Sequence, residues 1–140
     1  GMGYESMKAL FQLPLEAIDF AANGGTNFAK LELLRSDKKK QDIYSELARV
    51  GHSAEDMVEM TNQIIEELGE KRRCNRVIIS GGIRSFLDGY YLINKLPLPS
   101  VYGQASGFLK HARGSYEELR DYVDAQIQGL QLANAFLKLR

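Results

Sequence analysis

Apolar positions along the chain fall into short blocks whose period changes, and that alternation predicts the elements. From Glu5 to Leu13, Met7, Leu10 and Phe11 share one side of a short helix that Pro14 stops. Ala17-Ile18-Asp19-Phe20-Ala21-Ala22 is a short apolar run ended by Asn23-Gly24-Gly25, and it reads as a buried strand. A polar stretch follows, with a helix predicted around Lys40 to Val50. Ser53 then caps the clearest helix, with Asp56 in its first turn, a stripe of Met57, Thr61, Ile64, Ile65 and Leu68, and a stop at Gly69.

The second half repeats the alternation. Arg76-Val77-Ile78-Ile79-Ser80, closed by Gly81-Gly82, predicts a second buried strand. Ser85 caps a helix to about Leu96, with Asp88 at its third position, and Pro97 and Pro99 end it. Ser100-Val101-Tyr102-Gly103 is a third strand, followed by a brief helix from about Ala105 to Ala112. Ser115 and Glu118 read as a capping box for a long last helix, with Leu119, Val123, Ile127, Leu130, Ala133 and Leu137 along one side. Short buried strands alternating with helices predict parallel βαβ units in a single α/β domain.

Composition narrows the function only by exclusion. The chain of 140 residues holds 18 Lys plus Arg against 18 Asp plus Glu, so nothing in its charge points to nucleic acid or an anionic membrane surface. The run Lys38-Lys39-Lys40, between Asp37 and Asp42, reads as a solvated loop. Cys74 is the one cysteine, which rules out an intrachain disulfide and a cysteine zinc cluster. No apolar stretch approaches the roughly 20 residues that span a bilayer, and no signal-peptide pattern opens the chain, so a cytoplasmic location is expected. Gly1 before Met2 reads as a tag remnant. His52 and His111 lack ligand partners at suitable spacing and read as structural, as do Tyr90-Tyr91 and the Met57, Met60 pair.

Chemistry is concentrated at the strand ends. The first strand runs into Asn23-Gly24-Gly25-Thr26-Asn27, the second into Gly81-Gly82-Ile83-Arg84, and the third into Gln104-Ala105-Ser106-Gly107 at the start of a short helix. Glycines let backbone N–H groups approach an anion, a helix start adds free donors, Thr26 and Ser106 add hydroxyls, and Arg84 adds a charged fork. In α/β proteins ligands sit at these carboxyl ends, and in barrels the last two loops often hold a phosphate. A Gly-Gly after a strand is by itself more often a plain turn. Three such strand ends together are stronger evidence for a phosphate-bearing ligand, which the resemblance below also implies.

Ile79-Ser80-Gly81-Gly82-Ile83-Arg84, followed by Leu87-Asp88, resembles the SGGIRxxLD signature of flavin-dependent (β/α)₈ barrel enzymes. Asp19-Phe20-Ala21-Ala22-Asn23-Gly24-Gly25-Thr26-Asn27-Phe28-Ala29, with Glu32 and Arg35, is similar to the DxxGxGGTSFAxIExxR stretch of type 2 isopentenyl-diphosphate isomerases. The α-hydroxy-acid oxidases share the first signature but carry a His-Gly-Gly-Arg motif near this second point, and no such His is present. The resemblance covers most of the chain and implies a partial (β/α)₈ TIM barrel of about three βα units, residues 1–140 being its C-terminal segment. It implies that Thr26, Gly81, Gly82, Arg84, Ala105 and Ser106 touch FMN, mainly its phosphate. The family isomerises isopentenyl diphosphate to dimethylallyl diphosphate with reduced FMN, NAD(P)H for reduction and Mg²⁺ on the diphosphate.

The departures from that pattern bear on activity. Ala21 stands where the family often has a Ser near the flavin, and Val50-Gly51-His52-Ser53 replaces Trp-Gly-x-x-Thr. The segment around Pro97 to Pro99 is longer than usual. A full barrel takes roughly 250 residues, so the half that would carry the flavin-side lysine, the Mg²⁺ glutamate and most diphosphate contacts has no room here. The chain alone is therefore expected to be inactive, its catalytic residues are unassigned and no metal site is expected within it. Exposed strand edges in an open piece of barrel predict a homo-oligomer or association with a separate N-terminal half. Alternatives stand beside this reading: a non-catalytic self-associating remnant or phosphate-binding module, or part of another FMN-dependent barrel oxidoreductase. Glu32 and Arg35 are expected to form a bracing ion pair.

Overall fold

The computed structural model describes residues 1–139. Helix α1 (Tyr4–Phe11) buries Met7 and Phe11 completely, and its end is tied to the chain far downstream, because the Phe11 carbonyl accepts from the N–H groups of both Arg73 and Cys74. Strand β1 (Ile18–Asp19) follows. The sequence predicts a strand over Ala17–Ala22. Paired residues are confined to Ile18 and Asp19, but Phe20 N and Ala22 N still donate to Ile78 O and Ser80 O, at 3.0 and 2.9 Å. Between those two bonds, Ala21 takes φ +45°, which bends the chain out of the extended form and ends the regular pairing.

The stretch read as polar chain contains a helix that its pattern does not announce, α2 (Phe28–Leu34), N-capped by the Asn27 side chain on Lys30 N. The lysine run is likewise helical, not a loop. It opens α3 (Lys38–Tyr44) because the Asp37 carboxylate accepts from Lys40 N and caps it, and the chain then tightens into a 3₁₀ turn, Ser45–Arg49. Neither α2 nor α3 buries a residue. Glu32 and Arg35 form the expected ion pair at 2.8 Å, well exposed on α2.

Helix α4 (Ala54–Leu68) begins with the full capping box, Ser53 on Asp56 N and the Asp56 carboxylate on Ser53 N. Those bonds from Ser53 hold the Asp56 carboxyl below its usual range. Met57, Val58, Thr61, Ile64 and Leu68 are buried, and Thr61 satisfies its hydroxyl on Met57 O at 2.7 Å. Strand β2 (Val77–Ser80) leads into α5 (Phe86–Asn94), which has a second full capping box from Ser85 and Asp88. Strand β3 (Ser100–Gly103), α6 (Ser106–Ala112) and α7 (Tyr116–Phe136) complete the chain. Ser115 caps α7 on Glu118 N, but the Glu118 carboxylate turns against Gly114 and does not close the predicted box.

The three strands form one parallel sheet in the order β1-β2-β3, with Ile18 opposite Val77 and Val77 opposite Ser100. Alternation sends Phe20, Val77 and Ile79 toward the helical core, with Met7, Phe11, Met57 and Val58. A fully buried side chain of this size contributes about 1.5–3 kcal/mol. The opposite face presents Asp19, Ile78, Ser80 and Val101, and Val101 is 60% exposed. Lys95 bridges α5 to α4 by a 2.9 Å ion pair with Glu55, lies over the Tyr91 ring, and lowers the Glu55 pKa, while Tyr91 and Glu55 raise that of Lys95.

The predicted apolar stripe of α7 is only partly used. Ile127 and Leu137 are exposed, and the helix meets α5 through small residues, Gly129 and Ala133 being buried with the Phe86 ring lying directly on Gly129. Close helix approach selects size here and not hydrophobicity.

Candidate functional site

The strand-end loops meet at the carboxyl end of the sheet in one open cleft of about 660 Å³. Thr26, Gly81, Gly82, Ala105 and Ser106 all line it, so five of the six predicted phosphate contacts come together. Arg84 does not line it. It stands one residue beyond the lining residue Ile83, with its side chain exposed and without an ion pair among the described residues. Its backbone carbonyl accepts from the Gln104 side chain of the third loop, at 2.6 Å. Gln104, Phe28 and Leu109 also line the cleft and were not among the predicted contacts.

Glycine is required where the first two loops cross. Gly81 has φ +91° and Gly82 φ +79°, and a Cβ on Gly81 would lie 2.1 Å from the Ala22 carbonyl oxygen. A Cβ on Gly24 (φ +96°) would in turn lie 2.6 Å from Gly82 Cα. The two loops therefore pack backbone on backbone.

Below the crossing, the Ala21 N–H approaches both Asp19 Oδ1 and Ser80 Oγ at 3.1 Å, and the Ser80 hydroxyl donates to the same Asp19 oxygen. These bonds hold Ala21 in its left-handed conformation, which costs a residue with a Cβ free energy. Replacing exposed Ala21 by glycine is expected to raise stability by about 0.5–1 kcal/mol, the relieved strain outweighing the added freedom of the unfolded chain. A urea midpoint that stays level or falls would show that this φ is not strained.

On the far side, Ala105 stands at the N-cap of α6 and gives no side-chain cap, so the first amides of that helix have no side-chain acceptor. Uncapped amides, the Thr26 and Ser106 hydroxyls and a glycine cradle without side chains make a donor set that suits an anion. Burial, and then the neighbouring Tyr122, raise the pKa of Tyr102 behind this loop, so its hydroxyl stays neutral. Among the described residues no three of His, Cys, Asp and Glu gather as metal ligands. His111 stacks on Tyr122, and the His52 backbone carbonyl accepts from Asn23 N. None of the described helices is long and apolar enough to cross a membrane.

Fold and cleft together define a three-stranded parallel α/β unit with an anion-suited rim at its strand ends. No family model matches the chain. It is 31% identical over 133 residues to a protein of Ignicoccus hospitalis named isopentenyl-diphosphate delta-isomerase, covering 94% of this chain and 35% of that protein. Proteins of the same name from Bacillus licheniformis and Rickettsia felis are 33% and 26% identical, covering 93% and 94% of this chain and 33% and 36% of their own lengths. The chain thus spans about a third of the length of the curated relatives it matches.

Proposed function

We propose that the chain is the C-terminal segment of a type 2, FMN-dependent isopentenyl-diphosphate isomerase, and that its cleft holds the phosphate of FMN. The observation that carries this reading is the meeting of Thr26, Gly81, Gly82, Ala105 and Ser106 around one cleft, in a chain similar along 94% of its length to proteins of that name. The glycine cradle and the uncapped start of α6 would receive the phosphate oxygens, Thr26 and Ser106 would donate to them, and Arg84 would swing its free guanidinium over the rim. Bound flavin, once reduced, would supply acid/base chemistry to the allylic shift between isopentenyl and dimethylallyl diphosphate. NAD(P)H and Mg²⁺ would be handled by the rest of a (β/α)₈ barrel, so this segment alone is inactive. The outer edges of β1 and β3 would pair with the strands of that remainder, and the assembled protein would work in the cytoplasm.

Titrating the purified chain with FMN and following flavin fluorescence tests the reading. Saturable binding is expected, and Arg84→Ala should weaken it about tenfold, the equivalent of one charge-assisted contact of about 1.4 kcal/mol. A folded chain that binds no FMN would sink this reading. It would leave the second one, a self-associating remnant, which the exposed Val101 beside the open β3 edge favours.

A further inference from the structure

Gln104 joins three elements that are far apart in sequence. Its Nε2 donates to the Arg84 carbonyl at 2.6 Å and to the Tyr122 hydroxyl oxygen at 2.7 Å. A backbone carbonyl can only accept, so the amide nitrogen must face Arg84, and the orientation of the side chain is fixed by chemistry. Tyr122, on α7, is itself held by two rings of α6: Phe108 edge-on at 5.3 Å and His111 stacked at 4.3 Å. The close approach also needs Gly107, since a Cβ there would lie 2.5 Å from the Tyr122 hydroxyl.

The same residue, Arg84, is tied at its other end. Its N–H and that of Ser85 both donate to Asp88 Oδ2 at 3.0 Å. Arg84 therefore has its backbone N–H and carbonyl both bonded while its guanidinium pairs with nothing among the described residues. A cation whose backbone is fixed and whose head is free loses less entropy on closing over an anion than one on a loose loop.

We propose that Gln104 is a positioning residue for anion binding: it locks the loop after β2 to the loop after β3 and to α7, and so aims Arg84 at the cleft. This deepens the FMN-phosphate reading and rests on it. Rings on the far side of the tether, Tyr122 with Phe108 and His111, thereby share in setting affinity without touching the ligand.

Two ligands and two variants test it. Gln104→Ala is expected to weaken FMN binding about tenfold and Tyr122→Phe about threefold, while riboflavin, which lacks the phosphate, binds each as it binds wild type. Tyr122→Phe keeps the ring between Phe108 and His111, so it stays informative if Gln104→Ala folds poorly. In the Arg84→Ala background, Gln104→Ala should cause no further loss, because the residue it aims is gone. Losses that multiply in the double variant, or an FMN affinity unchanged in Gln104→Ala, would overturn the proposal. Amide exchange at Arg84 and Ser85 gives a reading without ligand. If wild type binds no FMN, the phosphate reading falls. Faster exchange in Gln104→Ala would then still support the tether, and unchanged exchange would overturn it.

Discussion

Gly81→Ala is expected to remove about 3 kcal/mol or more of stability, the sum of left-handed strain and a backbone clash that no rotamer can relieve. The new Cβ would stand 2.1 Å from Ala22 O, 2.6 Å from Ala22 C and 2.7 Å from Ala22 N, all main-chain atoms of the segment that carries the first loop. Relief requires β1 and β2 to part at their carboxyl ends, which also breaks the bond from Ala22 N to Ser80 O. Gly69→Ala supplies the control. Gly69 also has positive φ, at +49°, but a Cβ there meets nothing, so its cost should stay at about 1–2 kcal/mol, the conformational term alone. Urea midpoints of the two variants separate strain from crowding. Equal losses would mean that the loops do not cross as closely as they do in this structure. Since whole domains are stable by only about 5–15 kcal/mol, the larger loss would leave Gly81→Ala partly unfolded at moderate denaturant.

The same crossing explains what the sequence disclosed and what it withheld. Local signals were readable: Ser53 with Asp56 and Ser85 with Asp88 each mark a helix start because a short side chain reaches only three residues along. The strand-end glycines were readable as loops that meet, and five of the six residues chosen from those loops line one cleft. Long-range geometry was not. Nothing near Gln104 in sequence shows that it meets Arg84 or Tyr122, and nothing near Gly129 shows the Phe86 ring lying on it. Helix α2 was missed because its apolar residues, Phe28, Leu31 and Leu34, remain exposed and so bury no stripe against the core. Such a helix is started by its Asn27 cap, a signal easily taken for part of a glycine-rich turn.

Phe20→Ala is expected to cost about 3–5 kcal/mol, the loss of a large core side chain together with the cavity it leaves. Phe20 is fully buried and directly follows β1, in a segment with few other anchors: Ile18 and Ala22 are its remaining buried residues. The ring lies on the helical side of the sheet, while the loop of Asn23 to Asn27 leaves from the strand's end. Packing and the proposed ligand contacts are therefore carried by different parts of the same short segment. It follows that the variant should fold less stably yet present the same cleft once folded. A ligand at 100 times its dissociation constant adds about 2.7 kcal/mol to any protein that binds it only when folded. FMN at that level should thus raise the unfolding free energy of wild type and Phe20→Ala by the same increment. An increment that vanishes in the variant would show that the ring also sets the loop, and that strand packing and phosphate binding are one cooperative unit in this chain.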